Sequence, residues 1–247
     1  MSLLEAQVAI IKRTLGDDPS VELETSGLPP APKNAHAGLI LRPDMNAELG
    51  APEMTSALLP LYSGTNACRR DCTMLVGKTL DEVRGQSVDF AHVVILHGEG
   101  IDAEKFYQFT QRYQRFLDQP GAMAKAAGSR IWIRCAPVGG NSLSIEQIAA
   151  TFASRVHESF PEAVGVESWF VVDDHQLVQK LADEADALLT MLHDLRHEVW
   201  RTRGFDYKSC QLAGHCGSCS DKKTCQSIRK MEAQVRIHRR EQAMEER

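Results

Sequence analysis

The chain has 247 residues, of which 43% are hydrophobic and 25% charged, and its formal net charge at pH 7 is −5. These values exclude a chain that is disordered throughout and give no indication of general nucleic-acid binding. The N-terminus lacks the pattern of a signal peptide, and no apolar run approaches the ~20 residues of a membrane span. We therefore expect a cytoplasmic protein without membrane or nucleic-acid partners.

The N-terminal part of the chain combines one helix with irregular sequence. A helix is predicted over residues 2–15, because apolar residues recur on one face at Leu3, Leu4, Val8, Ile11 and Leu15. Residues 17–36 are rich in Pro, Gly and Ser, which is typical of a linker or an extended arm. Residues 44–87 give mixed signals. We expect residues 1–36 to form a helix followed by a linker or arm.

The central region alternates predicted strands and helices. The predicted elements are, in chain order, a strand at 88–97, a helix at about 103–118, a strand at 130–136, a helix at 143–159 and a strand at 164–172. This β-α-β-α-β order favours an α/β domain with at least some parallel strand pairing. With the long helix predicted after it, this domain is expected to span residues 37–204.

Several histidines and cysteines of this region have a predicted position. His92 and His97 share one strand at an odd spacing, which places them on opposite faces of the sheet. Cys135 ends an apolar strand and is expected in the core. Cys68 and Cys72 are four positions apart; on a helix they would share a face and could pair or ligate, and otherwise they are two unrelated thiols.

A third region, residues 205–247, contains a cysteine-rich loop. It follows a long helix predicted at about 175–203 and precedes a last helix at about 225–244. The loop has the spacing C-x5-C-x2-C-x5-C, formed by Cys210, Cys216, Cys219 and Cys225. The stretch is polar and Gly-rich, so four thiols there are hard to explain as core packing. Glycines at 214 and 217 let the backbone fold back so that the four sulfurs converge.

These four cysteines are the predicted ligands of a metal centre. A [4Fe–4S] cluster takes four cysteine ligands, and the lysines of the loop would offset its negative charge. A structural zinc site uses the same donors but more often has two C-x2-C pairs, whereas the loop has one. Unligated thiols or a disulfide pair are the remaining alternative. The seven cysteines are an odd number, which argues against a disulfide framework.

Four stretches and the loop occur in an order that resembles a known family. The stretches are RPDMNAELGAPE (42–53), VGKTLDEVRGQSVDFAHVVILHGEGIDAEKFYQFTQRYQRF (76–116), RIWIRCA (130–136) and FPEAVGVESWFVVDDHQLVQKL (160–181). With the long helix that runs into a cysteine loop, they resemble the middle region of acetyl-CoA synthase from the CO dehydrogenase/acetyl-CoA synthase complex. The resemblance implies an α/β fold and a [4Fe–4S] cluster just after the long helix.

The chain also departs from the pattern of that family. It contains no C-G-C tripeptide, which holds the distal nickel in the family, and its C-x2-C pair is flanked by single cysteines instead of preceding them. The N-terminal domain that docks on CO dehydrogenase has no counterpart in the sequence. The resemblance thus implies a short divergent member, and it supports neither a nickel ion nor acetyl-CoA synthesis.

Three functional hypotheses follow from the sequence. In the first, the chain is an iron–sulfur subunit or accessory, electron-transfer component of an anaerobic metalloenzyme complex, with another subunit or a second copy as its partner. In the second, it is a cluster-dependent enzyme of CO, methyl or acyl metabolism. In the third, it is a zinc-stabilised protein-interaction module. The sequence does not decide whether the chain is an enzyme.

Overall fold

The computed structural model describes residues 3–16, 21–31, 47–64, 70–101, 103–137 and 143–202. The chain divides into two compact units, Met1–Val199 and Trp200–Arg247, and the described residues lie almost entirely in the first. Within the described residues the protein is mixed α/β, with four helices and two mixed sheets. None of these helices is both long and apolar enough to cross a membrane.

The helices and strands follow one another in a fixed order. They are α1 (Leu3–Leu15), β1 (Val21–Leu23), β2 (Ala47–Leu49), β3 (Ser56–Ser63), β4 (Cys72–Gly77), β5 (Ser87–Val88), β6 (Phe90–His97), α2 (Ala103–Leu117), β7 (Ala122–Ala127), β8 (Arg130–Cys135), α3 (Ile145–Ser159), β9 (Gly165–Val172) and α4 (His175–Thr202). The predicted first helix and the predicted elements between residues 88 and 202 are therefore confirmed as elements, to within a few residues at their ends.

The larger sheet has five strands in the order β1-β4-β9-β6-β3. Strands β4 and β9 are parallel, as are β3 and β6, whereas β6 and β9 are antiparallel neighbours. Every residue of β6 is buried, as expected for a central strand covered on both faces. At the edge, β3 contains Pro60, and the Leu58 N–H donates to the carbonyl of Ser129 at 2.7 Å.

The smaller sheet has four strands in the order β5-β2-β8-β7. Strands β7 and β8 form an antiparallel hairpin, with Ala127 opposite Arg130 at its end. At this hairpin the Ser129 hydroxyl donates to Asp186 Oδ1 of α4 at 2.5 Å. The hairpin thereby connects the smaller sheet to the helix that precedes the cysteine region in the chain.

The two faces of the larger sheet bury two separate apolar clusters. One cluster lies between this sheet, helices α2 and α3, and the smaller sheet, and it includes the aromatic face of α2 formed by Phe106, Phe109, Tyr113 and Phe116. The other cluster lies between the opposite face and helices α1 and α4, which contribute Val8, Ile11, Leu15, Leu177, Val178, Leu181, Ala185 and Leu188. This division follows the alternation of side chains along each strand.

The predicted β-α-β-α-β unit differs from the observed topology. The middle strand of the prediction is β8, which belongs to the smaller sheet, and β7 is inserted before it. The first and third strands, β6 and β9, are antiparallel because the chain passes through this hairpin and α3 before it returns. Parallel pairs do occur, but they join β6 and β9 to β3 and β4, for which the sequence gave only mixed signals.

Candidate functional site

The predicted metal ligands, Cys210, Cys216, Cys219 and Cys225, lie outside the described residues. The predicted last helix and the region 205–247 lie there as well. Among the residues that are described, no group of three or more His, Cys, Asp or Glu side chains is arranged to hold a metal ion. The cluster and its zinc alternative therefore stay predictions, as does the division of the chain into three regions.

The remaining cysteines have different environments. Cys135 is buried in the core, as predicted, and burial raises the pKa of its thiol to about 12. It stays protonated at neutral pH, which makes it a poor ligand or nucleophile. Cys72 is half-buried at the start of a strand, and its thiol contacts Glu22 Oε1 at 3.9 Å. Because Cys68 lies outside the described residues, a pairing of these two thiols stays untested.

A buried carboxylate, Glu167 of β9, is the most highly connected polar group of the described domain. Its Oε2 accepts hydrogen bonds from Lys12 Nζ at 2.8 Å and from His97 Nε2 at 3.0 Å. Its Oε1 accepts from Trp169 Nε1 at 2.9 Å. The three donors come from α1, β6 and β9, so one carboxylate ties a helix to two neighbouring strands.

The charge of this carboxylate is fixed by its donors. Burial alone would raise the pKa of Glu167, but the hydrogen bonds from His97, Lys12 and Trp169 outweigh that effect and lower the pKa to about 2. The side chain is 8% exposed, so the charge is largely removed from water. A carboxylate that stays ionised at neutral pH holds these donors in place and does not act as a proton donor.

The two histidines of β6 lie on opposite faces, as predicted. His97 points to the α1 side, where it meets Glu167, and its Nδ1 is buried without a hydrogen-bond partner in the described part of the chain. His92 points to the α2 side, where it stacks on Phe170 with ring centroids 4.2 Å apart and contacts Tyr113 Oη through Nδ1 at 2.5 Å. Burial lowers the pKa of His92 to about 3, so this imidazole is neutral.

Two further histidines are paired with aspartates at the ends of strands. His157 Nε2 donates to Asp71 Oδ1 at 2.8 Å, and its Nδ1 donates to the carbonyl of Ala163 at 3.1 Å. Since both partners are acceptors, the ring must carry two protons to make both bonds. The hydrogen bond to Asp71 accordingly raises the pKa of His157, although burial acts in the opposite direction.

The other pair, His175 and Asp89, leaves one ring nitrogen open. Asp89 is buried, with Oδ1 accepting from the Thr55 N–H at 2.7 Å and Oδ2 accepting from His175 Nδ1 at 2.8 Å. The carboxylate thus fixes the ring orientation of a histidine whose side chain is 70% exposed. A single imidazole with no neighbouring ligand or nucleophile can exchange protons with solvent, and it forms neither a metal site nor a catalytic triad.

Replacing Asp71 with asparagine is expected to lower the pKa of His157 towards its ordinary value of 6.5, because the charged partner is removed. Since a raised pKa stabilises the folded state below pH 6.5 and this contribution disappears as pH rises through the folded pKa, the variant should lose that pH dependence. An NMR titration of the His157 ring protons measures the shift. The control Asp81→Asn alters an exposed carboxylate elsewhere and should leave it unchanged; an unchanged midpoint in Asp71→Asn would contradict the assignment.

Sequence reasoning missed Glu167 as a buried charge. The available signal was an acidic residue inside an otherwise apolar strand, GVESWFVV, close in the sheet to the histidine that ends FAHVVILH. The register that joins them, with Ile95 opposite Glu167 and His97 opposite Gly165, could not be read from the sequence.

The comparisons with known proteins give no relative for this chain. No protein-family model matches it, and no curated protein matches it. The likeness to acetyl-CoA synthase therefore stays a prediction from the sequence motifs.

Proposed function

We propose that the chain is a [4Fe–4S] protein that resembles acetyl-CoA synthase and acts as a subunit or accessory electron-transfer component of an anaerobic metalloenzyme complex. The observation that carries the proposal is the C-x5-C-x2-C-x5-C spacing of Cys210, Cys216, Cys219 and Cys225. Four cysteines within one short, polar, Gly-rich stretch match the ligand number of such a cluster.

The state of the other described cysteines supports this choice of ligands. Cys135 is buried and protonated, and Cys72 stands at the start of a strand. Neither belongs to a group of metal-binding side chains in the described residues. The residues suited to soft metal chemistry are thus concentrated in the loop, while the buried ionised Glu167 suits a structural role.

The proposal predicts that full-length protein purified without oxygen, or reconstituted with ferrous iron and sulfide, contains about four iron atoms per chain. The variant Cys219→Ala should lose most of its iron and its broad visible absorbance. The matched control Cys72→Ala removes a thiol of the described domain and should retain both. Elemental analysis and electron paramagnetic resonance of the reduced protein give the readout.

Three outcomes would contradict the proposal or part of it. Stoichiometric zinc without iron would replace the cluster with a structural zinc site. Equal iron loss in Cys72→Ala and Cys219→Ala would remove the assignment of the four loop cysteines. Nickel in proportion to iron, with turnover of a CO, methyl or acyl substrate, would favour an enzyme over an accessory subunit.

A further inference from the structure

A cleft of about 660 Å³ lies beside helix α3, away from the Glu167 carboxylate. One side is formed by β1 and the segment that follows it, residues 24–31, which we call the strap. The floor is formed by Ala150 and Ala153 of α3, and the end by Arg70 and Asp71. The volume is within the range of pockets that bind small organic molecules.

The strap is attached at both ends, which makes the cleft a built feature of the domain. At one end β1 pairs with β4, with Leu23 opposite Thr73. At the other end the Ala31 N–H donates to Thr151 Oγ1 of α3 at 3.1 Å, and that hydroxyl in turn donates to Gln119 at 2.7 Å. Between these points the chain turns at residues 25–28, where Gly27 has a φ of 83°.

The polar lining of the cleft has an excess of negative charge. Its acidic members are Glu22, Glu24 and Asp71, and its one basic member is Arg70. Arg70 lies 3.6 Å from Glu22, which balances that carboxylate. Asp71 uses Oδ1 for His157 and for the Val166 N–H, so Oδ2 has no partner among the described residues. Glu24 is exposed and unpaired in the same part of the chain.

The apolar lining is as important as the charge. Ala150 and Ala153 give α3 a shallow surface, because their side chains end at Cβ, and Leu23 and Leu28 face the same space. A ligand with a flat apolar body could cover this floor and remove apolar area from water. Its charged end would then lie among oxygen acceptors, which favours a positive charge over a negative one.

We propose that this cleft binds a small amphipathic organic cation, with its apolar body on the α3 floor and its protonated amine between Glu24 and Asp71. A bare metal ion does not suit the site, since the described residues hold no group of three metal-binding side chains. A small anion does not suit it either, because the excess carboxylate charge would repel it.

The test is a charge series on one molecular body, measured on the full chain by isothermal titration calorimetry. Tryptamine is the cation, tryptophol its neutral counterpart, and indole-3-propionate its anion. We expect tryptamine to bind more tightly than tryptophol, and indole-3-propionate not to bind. In Glu24→Gln the affinity for tryptamine should fall about two- to fivefold, the range of an exposed ion pair, with tryptophol unaffected.

Two further variants separate the cleft from the general surface. Ala153→Leu fills the floor and should abolish binding of tryptamine and tryptophol together. Glu53→Gln removes an exposed carboxylate that does not line the cleft and should change nothing. The proposal is overturned if the three compounds bind equally, if none binds at millimolar concentration, or if Glu24→Gln and Glu53→Gln have the same effect.

Discussion

Glu167→Ala is expected to lower the free energy of unfolding by about 3 kcal/mol, because it removes the acceptor shared by three buried or half-buried donors. His97 is 1% exposed and would keep a buried polar ring with no carboxylate. Lys12, whose side chain is 44% exposed, can turn to solvent and would no longer attach α1 to the sheet. Urea unfolding followed by circular dichroism measures the loss.

The matched control is Glu162→Ala, which removes an exposed carboxylate that pairs with Lys105 at 2.6 Å. A surface pair contributes little, so this variant should be much less affected than Glu167→Ala. Similar losses in both variants would show that burial of Glu167 has no energetic consequence.

The pH dependence provides a second measurement for the same residue. The pKa of Glu167 is about 2 in the folded protein against an ordinary 4.5. A lowered pKa stabilises the folded state above pH 4.5, and this contribution is lost as pH falls towards 2. The wild type should therefore lose stability across this window, and Glu167→Gln should lose less, since it has no proton to bind there.

Gly77→Ala is expected to destabilise the protein by about 3–4 kcal/mol, the combined effect of a left-handed backbone and an overpacked contact. Gly77 ends β4 with a φ of 88°, and a Cβ at this position would overlap the carbonyl oxygen of Val172 in β9. That carbonyl already accepts a hydrogen bond from the Lys78 N–H at 3.0 Å, so it is not free to move away.

Gly27→Ala is the matched control for this prediction. Gly27 has a similar φ of 83°, but a Cβ there would meet no atom within 4 Å. It should therefore show only the conformational part of the effect, about 1–2 kcal/mol. Thermal or urea unfolding of the two variants measures the difference, and equal losses would refute the role of the close approach between β4 and β9.

Most elements after residue 87 could be predicted from sequence because each has an unambiguous period. The aromatic residues of α2 recur at helical spacing, and β6 is a continuous apolar run. Strand β7, AMAKAA, was missed because alanine and lysine have low strand propensity, and it is a strand because β8 lies beside it. Strand β3 was obscured by Pro60, which an edge strand tolerates.

The polar groups of the domain were less predictable than its elements. The opposite faces of His92 and His97 follow from local alternation and were predicted. The contact between Lys12 and Glu167 joins residues 155 positions apart, so it depends on how α1 packs on the sheet. The same holds for Asp71 and His157, which are 86 positions apart. Local sequence contains no information on such distances.

The edge strand β3 also restricts how copies of this chain can assemble. An exposed strand edge with free N–H groups recruits another strand and promotes aggregation or continuous-sheet dimers. On the outer side of β3, the Leu58 N–H is already bonded to Ser129, and Pro60, two positions on, has no N–H to offer. Strand addition along this edge is thereby blocked, so two copies that associate would do so through side chains on another surface.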